Sequence, residues 1–98
     1  MSIQNLQPEP LVITLWLLTY GYEDGEVHTL HSTNEQALEY ARNTCLGYVQ
    51  DFADDETEKI EMTAWLQDPG NAYKVPNVWF QFTKESEWFS IESLKWSP

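Results

Sequence analysis

The feature that most constrains the fold is a long apolar segment followed at once by a turn sequence. Residues 11–22 read LVITLWLLTYGY and are apolar on both alternating sets of positions. This pattern is typical of a strand buried on both faces, and hence central in a sheet. The Asp-Gly pair at 24–25 favours a type I′ hairpin turn, which needs positive φ at both central residues. The sequence therefore predicts an antiparallel hairpin with a second strand over about residues 26–31, in which Tyr20 lies opposite Thr29.

A capping motif follows the predicted hairpin and begins an amphipathic helix. The Ser32 hydroxyl can accept a hydrogen bond from the Glu35 amide, while the Glu35 carboxylate bonds back to the start of the helix. The helix should extend to about Phe52. Its predicted core residues are Leu38, Ala41, Cys45, Leu46, Val49 and Phe52, and its predicted solvent-facing residues are Glu35, Glu39, Arg42, Asn43 and Gln50. Gly47 weakens a helix by ~1 kcal/mol relative to Ala, which indicates close packing against a neighbour at that position.

Residues 54–67 fit two kinds of secondary structure. Alternate residues from Ile60 to Leu66 are apolar, as in a half-buried strand. Ile60 and Ala64 also share one helical face, and the acids before them would lie at the helix N-terminus, where the helix dipole favours negative charge. We expect a short second helix that ends before the turn sequence Asp68-Pro69-Gly70.

Two alternating segments near the C-terminus predict a second hairpin. VWFQF at 78–82 and WFSI at 88–91 flank a turn over residues 84–87. One predicted face carries Phe80, Phe82, Phe89 and Ile91, and the other carries Trp79, Gln81, Thr83, Trp88 and Ser90. The apolar residues that follow are out of phase with this alternation, which indicates a bulge or a helical turn near Glu92-Ser93.

Together these segments predict an α+β fold: a β-hairpin, a helix, a short second helix and a C-terminal β-hairpin, forming one antiparallel sheet packed on helices. The predicted single domain covers residues 11–98 and follows a polar, proline-containing, flexible lead-in at residues 1–10. With 42% hydrophobic and 14% aromatic residues, the 98-residue chain can form one core, so global disorder is not expected.

The net charge of −11, from 16 acidic and five basic residues, limits the choice of partner. Such a chain repels phosphate backbones and anionic lipids, so direct binding to nucleic acid or a membrane is disfavoured and a basic protein is the expected partner. The alternative is that the acidity only maintains solubility. A single cysteine, Cys45, and a start (MSIQNLQPEP) without the features of a signal peptide predict a cytoplasmic protein, or one of the host cytoplasm if it is viral.

The most acidic stretch, DFADDETEKIE at residues 51–61, does not match a calcium-binding loop. An EF-hand loop needs Gly at its sixth position and a bidentate Glu at its twelfth, where this chain has Glu56 and Met62. We therefore predict neither a bound metal nor a cofactor. The weaker alternative is an irregular divalent-cation site among three acids, Asp51, Asp54 and Asp55.

The chain carries no recognised catalytic motif. His28 and His31 lie three residues apart on a predicted strand, so they should point to opposite faces and cannot share a metal. Cys45 falls on the apolar stripe of the helix, which predicts a buried, inert thiol. No nucleophile elbow, glycine-rich phosphate loop or Walker lysine is present. The sequence therefore predicts a protein that is not an enzyme.

The aromatic residues supply a candidate binding surface. Trp79 and Trp88 are predicted on one sheet face, and helices should cover only one of the two faces. If the face of the tryptophans is the uncovered one, it can bind a partner, because tryptophan is enriched at binding hot spots. The alternative is that both rings only pack against the N-terminal segment or the ends of neighbouring strands. The leading hypothesis is an acidic binding protein that occupies a basic, nucleic-acid-binding surface of another protein and inhibits it, as DNA-mimic, nuclease-immunity, anti-restriction and anti-CRISPR proteins do. The predicted partner-binding residues are Asp51, Asp54, Asp55, Glu56, Glu58, Glu61, Trp79, Glu85, Glu87 and Trp88.

Two alternatives remain. The protein could be an adaptor or a homodimeric assembly module that binds through its aromatic sheet face, with the acids serving only solubility. It could also sequester a small ligand in an aromatic pocket. Salt dependence separates the first alternative from mimicry, because binding between charged surfaces weakens with ionic strength whereas apolar docking changes little.

Overall fold

The computed structural model describes residues 12–96, which form one three-stranded antiparallel sheet and a layer of helices. In chain order the elements are β1 (Ile13–Tyr22), β2 (Gly25–His31), α1 (Asn34–Phe52), α2 (Glu56–Gln67), a 3₁₀ helix (Pro69–Lys74), α3 (Val75–Phe82) and β3 (Trp88–Trp96). The strand order is β2-β1-β3, so β1 is central, as predicted. The α+β fold with helices packed on one antiparallel sheet is confirmed. The predicted lead-in at residues 1–10 lies outside the described residues.

The hairpin between β1 and β2 turns one residue earlier than predicted. Tyr22 pairs with Gly25, so the central turn residues are Glu23 and Asp24. Neither has a positive φ, so the predicted type I′ turn is wrong. Gly25 instead begins β2 with a φ of 156°, a backbone conformation that residues with a Cβ atom rarely adopt.

The register of the hairpin differs from the prediction by two residues. Tyr20 pairs with Val27 rather than with Thr29. Because side chains alternate with a period of two, this shift leaves every residue on its predicted face. His28 and His31 pair with residues of opposite β1 faces, which confirms that their side chains point to opposite faces of the sheet.

The cap of α1 lies one residue later than predicted. The Thr33 hydroxyl, rather than that of Ser32, accepts a hydrogen bond from the Gln36 amide at 3.0 Å. The Gln36 side chain in turn accepts from the Ser32 amide at 3.2 Å. The sequence contains the same capping pattern twice in succession, and the second copy, with Gln at its last position, is the one used. The helix ends at Phe52, as predicted.

The buried face of α1 is narrower than predicted and consists mainly of small residues. Its buried residues are Ala37, Ala41, Arg42, Cys45 and Val49. Burial of Cys45 confirms that prediction, but Leu38 is only half-buried and lies outside the core cluster, and Arg42 is buried rather than solvent-facing. Small side chains spaced four residues apart let the helix approach the sheet closely.

Arg42 is buried because it joins α1 to the end of α2. Its guanidinium donates to the Leu66 carbonyl at 2.6 Å and binds the Glu39 carboxylate through two nitrogens. The predicted solvent-facing pair is therefore an interhelical clamp. The hydrogen bonds from Arg42 hold the pKa of Glu39 below its ordinary value, although burial opposes this shift.

The segment predicted as the first strand of a C-terminal hairpin is helical, so that prediction is wrong. Pro76 lies in the first turn of α3, where its missing amide proton costs nothing. Val75 and Trp79, four residues apart, are both buried, whereas the alternation of residues 78–82 is short enough to fit either period. β3 is unbroken from Trp88 to Trp96, so the predicted interruption near residues 92–93 is also wrong.

The end of α3 is a Schellman motif built without glycine. The Glu85 amide donates to the Phe80 carbonyl at 2.7 Å, and the Lys84 amide donates to the Gln81 carbonyl at 3.0 Å. Lys84 and Glu85 have φ values of 56° and 67°, in the left-handed region that favours glycine. The motif reverses the chain and directs it into β3.

Replacing Lys84 by glycine should give a protein about 1 kcal/mol more stable than replacing it by alanine, because the left-handed conformation costs a residue with a Cβ about 1–2 kcal/mol. Both variants lose the ion pair of Lys84 with Asp54, so the difference between their stabilities reports the cost of the backbone conformation at residue 84. Urea unfolding measures the two stabilities. An alanine variant at least as stable as the glycine variant would contradict the motif.

Glu39→Gln should make the free energy of unfolding depend less on pH in the acid range. The pKa of Glu39 is lowered in the folded state, below an unfolded value of about 4.3, so the folded protein binds fewer protons. The stabilisation is therefore complete above about pH 5 and is lost as the pH falls through the lowered pKa. The stability difference between wild type and variant should be smaller at about pH 3 than at neutral pH. A difference that does not change with pH would show that the Arg42 clamp is absent.

Candidate functional site

The acidic stretch at residues 51–61 forms the junction between α1 and α2. Asp55 caps α2, because its carboxylate accepts a hydrogen bond from the Glu58 amide at 2.7 Å. The Glu58 carboxylate accepts in return from the Asp54 amide at 3.4 Å. Two of the acids therefore stabilise a helix start, and the predicted short second helix is confirmed.

Most acids of this junction face solvent. Asp54 lies 3.6 Å from the Lys84 ammonium, which brings the loop between α3 and β3, with the exposed Glu85, next to the junction. We refer to the exposed carboxylates of this region as the acidic junction: Asp51, Asp54, Asp55, Glu56, Glu61 and Glu85. Glu58 is half-buried at its edge.

Trp79 does not belong to a binding surface. Its side chain is 1% exposed, packs edge-on against Phe52 and stacks on Phe82. The prediction that Trp79 and Trp88 share an exposed sheet face is wrong, because Trp79 lies on α3 and Trp88 on β3. A side chain buried to this extent cannot contact a partner unless the fold opens.

Glu87 was predicted to be an exposed docking acid, but it is buried, with 8% of its surface accessible. One carboxyl oxygen, Oε1, accepts from the Tyr20 hydroxyl at 2.6 Å and from the Trp79 indole N–H at 2.9 Å. The Glu87 amide donates to the Thr83 hydroxyl at 3.1 Å. These bonds join β1, the end of α3 and the start of β3 around one side chain. We refer to Glu87, Tyr20 and Trp79 as the Glu87 network.

The Glu87 network also changes the acid-base properties of its neighbours. Burial raises the pKa of the Tyr20 hydroxyl far above its ordinary value, and the hydrogen bond to Glu87 and its negative charge add to the shift. Burial, with the charge of Glu87 as a smaller cause, likewise raises the pKa of the Cys45 thiol. A thiol with a raised pKa is a poor nucleophile, as the sequence predicted for Cys45.

A cleft of about 800 Å³ opens beside the Glu87 network, between the hairpin end of the sheet and α1. We call it the tyrosine cleft. Its lining residues are Tyr20, Tyr22, Val27, Tyr40, Asn43, Thr44, Gly47, Tyr48 and Glu87. The ring centroid of Tyr20 lies 5.5 Å from that of Tyr22 and 6.2 Å from that of Tyr48. The prediction of close packing at Gly47 is wrong, because a Cβ atom at this position would meet no other atom within 4 Å.

The sheet face opposite the helices, which we call the outer sheet face, exposes several large apolar side chains. Strand pairing places Leu30 and Leu94 on this face, as well as Trp88 and Trp96. Leu30 is 57% exposed and Trp96 is 54% exposed. The Trp88 ring lies over Gly21, where a Cβ would come within 2.0 Å of it. Trp88 therefore lies partly exposed on an uncovered sheet face, which agrees with the prediction.

Two other kinds of site find no support in the described part of the chain. Among residues 12–96, no three His, Cys, Asp or Glu side chains come together as a metal site would require. None of the helices within that range has the length and apolar character to cross a bilayer.

No protein-family model matches this sequence, and neither a curated protein nor a solved structure is significantly similar to it. Any functional assignment must therefore come from the surfaces themselves rather than from homology.

Sequence reasoning missed the tyrosine cleft and the buried role of Glu87. Tyr20 and Tyr22 were recognisable as neighbours on one strand face, but Tyr40 and Tyr48 lie on a helix some twenty residues further along. Their positions, eight residues apart on α1, place them on one helical face, which was the available signal. Nothing local distinguishes Glu87 from the exposed Glu85.

Glu87→Leu should be markedly less stable than Glu87→Gln. Leucine leaves the buried Tyr20 hydroxyl and Trp79 indole N–H without an acceptor, at about 1–3 kcal/mol for each donor. Glutamine keeps a carbonyl oxygen that can accept both bonds. Urea unfolding gives the stabilities, and the indole N–H resonance of Trp79 reports its hydrogen bond. Equal stability of the two variants would show that the bonds to Glu87 do not support the fold.

Proposed function

We propose that the protein is a non-enzymatic inhibitor that binds a basic, nucleic-acid-binding surface of another protein through its acidic junction. The observation that carries this proposal is the exposure of six carboxylates in one region, with a single ion pair, Asp54 to Lys84, recorded among them. Proteins of this kind include DNA mimics with nuclease-immunity, anti-restriction or anti-CRISPR roles. Glu58 lies at the edge of the proposed interface, and the buried Trp79 and Glu87 are not part of it.

Electrostatics supports such a partner in two ways. Exposed carboxylates can occupy the positions of phosphates against lysine and arginine side chains, and opposite net charges raise association rates by about 10–10³-fold. Basic residues of the protein itself neutralise little of this charge. Of the five, Arg42 is committed to Glu39 and Lys84 to Asp54, so the remaining acids outnumber their local counter-charges.

Reversal of Asp51, Glu56 and Glu61 to lysine should slow association with the partner by roughly tenfold or more at low salt. These three acids are exposed and accept no recorded hydrogen bond within residues 12–96, unlike Asp55 and Glu58, whose replacement would weaken the cap of α2. The partner is recovered from cell lysate on the immobilised protein, and rate constants are then measured by surface plasmon resonance at low and high salt.

A matched control separates the acidic junction from net charge. Reversal of three exposed acids elsewhere, Glu23, Asp24 and Glu35, changes the net charge by the same amount. Each triple variant also reverses one acid in the first turn of a helix, Glu56 in α2 or Glu35 in α1, so the cost to the helix dipole is similar. The control should associate much faster than the junction variant, and the partner should release its nucleic acid when wild type binds. Equal rates for both triples, or a complex that retains its nucleic acid, would contradict mimicry.

A second candidate function follows from the outer sheet face. Its exposed apolar residues, including Leu30, Trp88 and Trp96, favour an adaptor or a homodimeric assembly module, with the acids serving solubility. An apolar interface binds almost equally well at low and high salt, so the same salt comparison distinguishes the two candidates. Trp88 belongs to this candidate rather than to the acidic junction.

A further inference from the structure

The tyrosine cleft combines a buried acid with aromatic walls and an open entrance. Tyr22, Tyr40 and Tyr48 line it and are each more than one-third exposed, so part of each residue is accessible to a ligand. Tyr20 and Glu87 are almost fully buried at its base. The cleft shares no residue with the acidic junction, which begins at Asp51, three residues after Tyr48 on α1.

The Glu87 carboxyl has no cationic partner in the described structure. All five lysine and arginine residues lie within residues 12–96, yet no recorded ion pair involves Glu87, and neither lysine nor arginine lines the cleft. Burying an acid without a counter-charge is costly, even when neutral donors form hydrogen bonds with one of its oxygens. A cation in the cleft would remove that cost.

One oxygen of Glu87 is available to such a cation. Both hydrogen-bond donors recorded within residues 12–96 bind Oε1, and none binds Oε2. No side-chain oxygen of the described residues is both fully buried and without a hydrogen-bond partner. Oε2 has no recorded partner, so it keeps some accessible surface. Because Glu87 lines the cleft, this surface can face a ligand there.

We propose that the tyrosine cleft binds an organic cation, specifically an ammonium group that carries alkyl substituents, between the tyrosine rings and the Glu87 carboxyl. Aromatic faces attract cations through their quadrupole, and they cover the alkyl groups that a carboxyl alone cannot. A weakly hydrated alkylated ammonium loses less on entering the cleft than a small inorganic cation would. Gly47 contributes by leaving open space on α1 where any side chain would project.

The group could belong to a free quaternary amine or to a methylated lysine of a protein, and both present the same chemistry. Choline represents the free amine, and N-acetyl-trimethyllysine amide represents the side chain. Neutral 3,3-dimethyl-1-butanol has the shape of choline without its charge. NMR titration of the wild-type protein should show choline or the lysine derivative binding at least roughly tenfold more tightly than the neutral alcohol. Tighter binding of the lysine derivative than of choline would assign the site to a protein-borne group.

Matched variants locate the site. Gly47→Phe should abolish binding by filling the cleft, whereas Gly47→Ala should retain it. Tyr48→Leu should weaken binding roughly tenfold, whereas Tyr48→Phe, which keeps the aromatic face, should not. Both positions are exposed, so these variants test the site even if replacement of Glu87 unfolds the protein.

The charge of Glu87 is tested against an equal change elsewhere. Glu87→Gln should weaken binding at least roughly tenfold while keeping the hydrogen-bond acceptor. Glu35→Gln, at an exposed acid outside both the cleft and the acidic junction, should leave binding unchanged. Equal affinity for choline and the neutral alcohol, no binding of either ammonium compound, or binding that survives Gly47→Phe would each overturn the proposal. Because no partner protein is present in these titrations, their outcome is independent of the proposed inhibition.

Discussion

The pair of hydrogen bonds that Glu87 accepts determines how the rest of the structure is assembled. Withdrawing a carboxyl from water is costly, and the hydroxyl of Tyr20 and the indole N–H of Trp79 offset part of that cost by donating to one oxygen of Glu87. Each donor is itself fixed by packing: Tyr20 stacks on Phe89 with ring centroids 4.8 Å apart, and Trp79 is enclosed between aromatic rings. The start of β3, the end of α3 and the middle of the sheet are thereby held in one arrangement.

The acidic residues divide into three groups with different physical roles. Glu87 and Glu39 are structural, since one organises the core and the other joins Arg42 in the clamp between α1 and α2. Asp55 and Glu58 cap a helix. Most of the remaining acids within residues 12–96 are exposed and take part in no recorded ion pair, and they carry the electrostatic field that a cationic partner would experience. Net charge alone does not distinguish these groups.

A sheet with helices on only one side leaves two surfaces of different character. On the helix side, Ala37 and Ala41 of α1 are fully buried, whereas Tyr40 and Tyr48, on a more exposed face of the same helix, line the tyrosine cleft. On the outer sheet face, no helix of the described chain covers Leu30 or Trp96. The acidic junction, the cleft and the outer sheet face are therefore separate candidates, each with its own kind of ligand.

Local sequence determined the elements whose signal lies within a few residues. The central position of β1, the extent of α1 and the burial of Cys45 followed from periodicity and capping, because those interactions are short in range. Periodicity left α2 open between strand and helix, and the acids at its N-terminus favoured the helix. Where the local sequence fitted both a strand and a helix, tertiary contacts determined which one formed. The alternation of residues 78–82 fitted a strand, but burial of Val75 and Trp79 against the core favoured a helix. Only the folded chain could place Tyr20, 67 residues before Glu87, within 2.6 Å of it, and that long-range bond makes Glu87 a core residue while Glu85, two residues earlier, stays on the surface.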